Sequence, residues 1–311
     1  MITPTLGRET LKRTLASLVA QSEAGWEALV VDDGGGGGIE IAESFGDERI
    51  RAFANPGRGQ VDARNAAIAA ARGELVCWLD DDDWWEDADH LARLVECAAG
   101  DVFLYRGGFV VYEREAGRRE AFDLVATCRS LRTNNTVLTS SLAYPRAVHE
   151  RLGPLDADLG GYCDWDLLLR LCDAGFEPRK VPGLGVCYSV HDANASREYA
   201  APARKRSFEA FAGKHGLTAK IANHAIIREL MSTMPEGWAD VDDALEREFA
   251  FADFVAAMAF VDRVAELAER ENHHPDIRIS YNRVTLRWWT HSAGGITDRD
   301  RELATRSAEL A

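Results

Sequence analysis

Apolar residues in the first half of the chain recur with two alternating patterns. Leu11, Leu15, Leu18 and Val19 have helical spacing and predict an amphipathic helix over 9–21. Ala28-Leu29-Val30-Val31 is then continuously apolar and stops at Asp32-Asp33 and five glycines. A second helical pattern spans 61–72. A second apolar run, Leu75-Val76-Cys77-Trp78-Leu79, ends in Asp80-Asp81-Asp82-Asp83. Continuous apolar strands alternating with helices predict an α/β unit with a mostly parallel sheet covered on both faces. Such sheets bind ligands at the carboxyl ends of their strands, and two successive strands here deliver carboxylates to that edge.

The last ninety residues read differently. A helix over 221–232 is followed by Gly237-Trp238 and a strand-like alternation ending in Phe249 and Phe251. The next helix carries Phe254, Met258, Val261, Val264 and Leu267 on one face. Strands at Ile277–Ser280 and Val284–Trp289 and a last helix from Asp298 complete a small α+β unit, an antiparallel sheet with helices on one face. Between the halves, Ser196 to Arg206 has no clear period, and a helix-like stretch runs on to Lys214. The expected organisation is a domain over 1–200, a linker and helix over 201–220, and a domain over 221–311.

Composition narrows the class. A chain of 311 residues, 46% apolar and 28% charged, suits two globular domains. Its net charge of −15 argues against a nucleic-acid binder, which needs clustered Lys and Arg. No run approaches the ~18 apolar residues of a membrane span, and no signal-peptide pattern opens the chain. The six cysteines lack a C-x-x-C pair, which excludes zinc-ribbon and redox-motif readings and makes a reducing cytoplasm the simplest compartment.

Four consecutive aspartates beside Trp84-Trp85 repel one another, and a divalent cation would relieve that repulsion. Oxygen ligands suit Mg²⁺ or Mn²⁺, which also bridge diphosphate oxygens. A solvated acidic loop capping the next helix is the alternative. The context favours the cation. Thr3-Pro4-Thr5-Leu6-Gly7-Arg8, Val31-Asp32-Asp33-Gly34, Gly59 through Ala63-Arg64-Asn65, Gly73-Glu74 and Leu79 through Trp85 follow in order. Together they resemble the family 2 inverting glycosyltransferases, with a Rossmann-like GT-A fold, over roughly residues 2–195.

That resemblance implies a nucleotide-sugar site containing Pro4, Thr5, Asp33, Arg64 and Asp80, with Asp33 on the base and Arg64 near the diphosphate. Asp80 and Asp82 fill the D-x-D positions, with Asp82 as metal ligand. Asp164, opening the helix Asp164-Trp165-Asp166-Leu167, matches the base that deprotonates the acceptor hydroxyl, although an aspartate there also suits plain helix capping. His191 matches a further metal ligand, or serves as a structural hydrogen-bonder. The chain departs from the pattern in three places. Gly34 to Gly38 offer only backbone, and Cys163 replaces an acid. Met1-Ile2 begins where family members have more of the central strand, so either the true start lies upstream or this domain is weakened. These departures weigh against transferase activity rather than against the fold.

In the second domain, Glu269-Arg270-Glu271-Asn272-His273-His274-Pro275 lies where a long helix must stop, because Pro275 disfavours its continuation. Attraction to the helix dipole accounts for one histidine there, not for two plus His291. Adjacent residues on a helix do not face each other, and no fourth ligand stands out, which disfavours zinc. General acid–base chemistry fits imidazoles better. With Gly237-Trp238, Phe251-x-Asp253-Phe254, Tyr281-Asn282-Arg283-Val284, Thr290-His291, Gly294-Gly295 and Asp300, the segment resembles a pterin-4a-carbinolamine dehydratase over 222–311.

The resemblance implies metal-free dehydration of 4a-hydroxytetrahydropterin to the quinonoid dihydropterin. His274 and His291 would be the acid–base pair, with His273 shaping the pocket and Glu269 holding an imidazole's protonation state. Asp300 belongs either to this site or, through the spacing Thr297-x-x-Asp300, to a capping box. One of Trp288 and Trp289 should lie in the core and the other at an interface. The resemblance also implies a homo-oligomer formed through this domain. Three readings follow: a bifunctional or pterin-linked enzyme, a glycosyltransferase using the second module only to oligomerise, and a non-catalytic scaffold. Intact His273, His274 and His291 favour the first.

Overall fold

The computed structural model describes residues 1–113, 118–191, 202–217, 235, 237–242, 244–290, 295–296 and 298–311. The chain divides into two units, Met1–Asp123 with Leu131–Ala225, and Leu124–Ser130 with Ile226–Ala311.

The first unit begins β1 (Ile2–Thr5), α1 (Leu11–Val19), β2 (Ala28–Asp32), α2 (Gly37–Glu43), β3 (Ile50–Ala54), α3 (Gly59–Ala70) and β4 (Leu75–Cys77). The order β1-β2-β3 is parallel throughout, and all five residues of β2 are buried, as a strand covered on both faces requires. Helix α1 buries Leu11, Thr14, Leu15 and Leu18, the i, i+3, i+4, i+7 face of an amphipathic helix. A parallel bridge from Ile2 to Trp78 carries β1 on towards a second, mixed sheet. There follow β5 (Trp84–Trp85), α4 (His90–Cys97), β6 (Val102–Tyr112), β7 (Arg119–Phe122), β8 (Ala143–Pro145), α5 (Val148–Leu152), α6 (Cys163–Asp173), β9 (Glu177–Val190) and α7 (Pro202–Lys214). The second sheet has the order β4-β8-β6-β9-β5, with β7 on β6, and its β6–β9 pair is parallel.

Helix α6 ends as its sequence dictates. Gly175 takes φ +90°, Gly175 N–H donates to Cys172 O, and Phe176 N–H donates to Leu171 O, a Schellman closure. The stretch expected as linker and helix is α7. Its Phe208 and Phe211 pack on Tyr162, Phe211 packs on Trp165, and Lys214 and His215 both reach the buried Asp166 at 2.8 Å. Cys77, Cys97, Cys163 and Cys187 are free thiols.

Cavities lie at both ends of the strands of this unit. One, of about 560 Å³, lies at their N-terminal ends against Ile2, Leu29, Val76, Leu91 and Val95. Beside it the Met1 amino group donates to Glu27 O at 2.6 Å, and burial pushes its pKa down. The other lies at the carboxyl ends, among the aspartates.

The second unit contains β10 (Ala239–Val241), β11 (Ala244–Ala250), α8 (Phe254–Glu271), β12 (Asp276–Ser280), β13 (Arg283–Trp288) and α9 (Asp298–Ala308). Its antiparallel sheet has the order β10-β11-β13-β12. The helices cover a core of Trp238, Leu245, Phe249, Phe260, Val264 and Trp288, among others. The expected face of α8 needs correction. Ala257, Phe260, Val264, Leu267 and Ala268 are buried, while Phe254 is exposed, because Asp253 caps the helix by accepting from Ala256 N–H and Phe254 lies in the solvated first turn. Trp288 is fully buried and Trp289 is half-buried, its indole donating to Asp276. The helix expected over 221–232 lies outside the described residues. No described helix is long and apolar enough to cross a membrane.

Candidate functional site

The carboxyl ends of β1, β2 and β4 open into a cavity of about 330 Å³ whose lining includes Pro4, Thr5, Asp33, Asp80, Asp81 and Asp82. Five residues singled out from sequence thus share one pocket, although they come from three separate loops. Thr5 donates its hydroxyl to Asp81 Oδ2 at 2.7 Å, binding the end of β1 to the aspartate run. Arg8 lies 3.3 Å from Asp82 and 3.6 Å from Asp81. Arg64 is buried under the pocket, with one nitrogen 2.5 Å from Asp80, another donating to Gln60, and its guanidinium over the Trp78 ring. His191 Nε2–H donates to Asp82 Oδ2 at 2.8 Å, which unites the two metal-ligand candidates.

The four aspartates differ in environment. Burial, followed for Asp82 by the charge of Asp80, pushes the carboxyl pKa values of Asp81 and Asp82 upward. Asp83 is raised well above the usual range by burial and by Asp82; it accepts from Ser140 Oγ at 2.5 Å and Ser189 N–H at 2.8 Å. Asp83 therefore anchors the loop, and Asp80 to Asp82 face the cavity.

Asp164 accepts from Thr139 Oγ1 at 3.1 Å and Asn135 Nδ2 at 3.3 Å, and burial raises its pKa. Arg64 and Asp80 lie close enough to act on it electrostatically, which ties the start of α6 to the same region. The glycine run serves a purpose that the sequence did not reveal. Asp32 accepts backbone N–H bonds from Gly34, Gly36, Gly38 and Ile39, so the run wraps a buried carboxylate and leaves Asp33 to face the cavity. Sequence reasoning missed Asn55, Gln60 and Ser140, and gave Asp83 no role apart from the aspartate run; of the three, Asn55 had a local signal, as the opening of an Asn-Pro-Gly turn after β3.

Among the described residues no group of three or more His, Cys, Asp or Glu side chains is gathered as a metal cage. Mg²⁺ and Mn²⁺ are usually held by one or two carboxylates with substrate phosphates completing the shell. The hard oxygen donors of Asp80 and Asp82 at the cavity mouth fit that mode.

In the second unit, α8 stops at Asn272, which takes the left-handed conformation (φ +47°). His273 N–H returns to Ala268 O and closes the helix, so that the two histidines emerge directly beyond it. His273 Nε2–H donates to Asp300 Oδ1 at 2.7 Å, and its ring stacks on Trp288. The other oxygen of Asp300, a fully buried residue, accepts from Thr290 Oγ1 at 2.7 Å. His274 is exposed and donates from Nε2 to Glu269 at 2.9 Å. Asp300 thus bridges His273 and Thr290. His291, Gly294 and Thr297 lie outside the described residues.

Comparison with known proteins matches this geometry to two classes. The first unit has the GT-A-like fold: a mannosyltransferase of Pyrobaculum calidifontis, solved with GDP-Man and Mn²⁺, superposes with a TM-score of 0.52 at 21% identity, covering 71% of this chain and 64% of that one. Staphylococcus aureus TarS, solved with UDP-GlcNAc, gives 0.50 at 16% identity, covering 68% and 65%. Residues 1–137 match the family model for glycosyl transferase family 2, and residues 219–310 that for pterin 4 alpha carbinolamine dehydratase. A Thermomicrobium roseum protein provisionally named a pterin-4-alpha-carbinolamine dehydratase is 58% identical over 87 residues, 28% of this chain and 92% of that protein. The chain belongs to the pterin-4a-carbinolamine dehydratase family through its C-terminal domain, which is fused to a family 2 glycosyltransferase-like N-terminal domain.

Proposed function

We propose that the protein dehydrates 4a-hydroxytetrahydropterin (pterin-4a-carbinolamine) at its C-terminal domain. The observation that carries this is Asp300, which binds His273 with one oxygen and Thr290, the neighbour of His291, with the other. One buried carboxylate therefore joins Thr290 to the segment that follows α8. In the reaction a neutral imidazole takes the N5 proton while an imidazolium protonates the 4a-hydroxyl. The C4a=N5 bond forms and water leaves. His274 and His291 fill these roles. His273, oriented by Asp300, forms the wall and shares the proton, and Glu269 steadies His274. A domain of this kind acts as a homo-oligomer in the cytoplasm and needs no metal.

The test uses the full chain and synthetic 4a-hydroxytetrahydropterin. The rate should be bell-shaped in pH, since one imidazole must be protonated and another neutral. His274→Ala and His291→Ala should each cost on the order of 10²–10⁴ in rate. A folded double variant with the parent rate, or an activity abolished by EDTA and restored by zinc, overturns the reading.

The aspartate-lined cavity favours a second activity in the same chain, nucleotide-sugar-dependent inverting glycosyl transfer with Mn²⁺ or Mg²⁺. Asp33 would meet the base and Asp82, with His191, the cation. Asp164 would deprotonate the acceptor hydroxyl, for which its raised pKa suits a base held out of water. The bound cation would neutralise diphosphate charge. Calorimetry with UDP and GDP should show binding only with Mn²⁺ or Mg²⁺, and Asp82→Ala should remove that dependence with most of the affinity. Equal affinity with and without metal would reduce the run to an acidic loop.

A further inference from the structure

The turn that follows β3 is built around one side chain. Asn55 Nδ2 donates to Asp33 Oδ1 at 2.8 Å and to Gly59 O at 3.1 Å, its Oδ1 accepts from Gly57 N–H at 3.1 Å, and its backbone N–H donates to Asp32 O at 2.8 Å. Gly59 N–H in turn donates to Asp33 Oδ2 at 2.8 Å. Both oxygens of Asp33 are thus held from the side by donors belonging to a single turn. Gly59 and Gln60, at the end of that turn, line the same cavity as Asp33, and Gln60 accepts from Arg64, which grips Asp80.

We infer that Asn55 is a positioning residue that fixes Asp33 as a pure hydrogen-bond acceptor facing the cavity, so that this end accepts a nucleobase presenting a ring N–H. The inference rests on reading the cavity as a nucleotide site, and it adds a selectivity element to that reading. A carboxylate accepts only, and two fixed donors leave each oxygen one lone pair for a ligand. Uracil and guanine offer a ring N–H there. Cytosine and adenine offer an acceptor nitrogen, which a carboxylate repels.

Calorimetry on the full chain with Mn²⁺ tests this, using UDP, GDP, CDP and ADP. Parent protein should bind UDP or GDP at least tenfold more tightly than CDP and ADP. Asn55→Ala should weaken the preferred nucleotide about 5–50-fold, the worth of about 1–2.3 kcal/mol, and shrink the selectivity, while Mn²⁺ binding alone, read by electron paramagnetic resonance, stays unchanged. Asn55→Asp should place a second carboxylate against Asp33, so that affinity falls steeply as pH rises from 5 to 8, a slope absent from the parent. A purely structural Asn55 would lower Mn²⁺ and nucleotide binding together and leave the pH profile flat. If parent protein binds nucleotide and Asn55→Ala leaves affinity and selectivity intact, this inference fails alone. If the parent binds none of the four, the nucleotide reading itself fails.

Discussion

His90, which has no role in either proposed chemistry, shows how a single buried group can set acid sensitivity. It is fully buried, stacks on Trp85 with ring centroids 4.2 Å apart, and contacts Arg106 through Nδ1 at 3.3 Å. Burial first, then the Arg106 charge, lowers its pKa to about 3. The folded pKa lies below the unfolded value, so the stabilisation is complete above about pH 6.5 and is lost as pH falls towards 3. Between pH 6.5 and 5 this group should remove about 2 kcal/mol of folding stability. His90→Gln keeps a polar partner for Arg106 and cannot titrate, so its urea midpoint should fall less on acidification than the parent's. Identical slopes would refute the account. At this scale the sequence was legible where chemistry sat in a run, as at Asp80–Asp83 and His273-His274. Partners such as Ser140 for Asp83 and Thr290 for Asp300 were hidden, because tertiary folding alone brings them together.

Elements were legible where period and punctuation agreed. The strand Ala28–Asp32, the helix closed by Gly175 and the helix stopped before Pro275 all follow from local rules. The face of α8 was misread because Phe254 continued an apolar pattern into a turn that the cap leaves in solvent. The purpose of the glycine run was not legible for a different reason: it depends on what lies within atomic reach. A Cβ on Gly34 would fall 2.2 Å from Leu6 O, a backbone atom that cannot swing aside. Gly34→Ala should therefore destabilise by about 1–3 kcal/mol, as overpacking does, and should loosen the loop that carries Asp33. Gly213, in α7, has nothing within 4 Å of an added Cβ. Gly213→Ala should raise stability by about 0.4–1 kcal/mol through the unfolded chain. Thermal melts of the two variants should move in opposite directions, and a shift in the same direction would count against the close approach at Gly34.

For the molecule as a whole, the hydrophobic pattern made the two fold classes legible, an α/β fold and an α+β fold. The distribution of side-chain contacts within each half could not be read in advance. Asp300 illustrates this, and it gives the final helix a second meaning. His273 is delivered by α8, but its carboxylate partner comes from α9, the last of the described elements to be synthesised. During translation the sheet and α8 can assemble while the imidazole is still unanchored. The contact between His273 and Asp300 can form only when α9 has left the ribosome, and a stop codon anywhere before position 300 leaves a sheet and helix without the residue that holds the histidine.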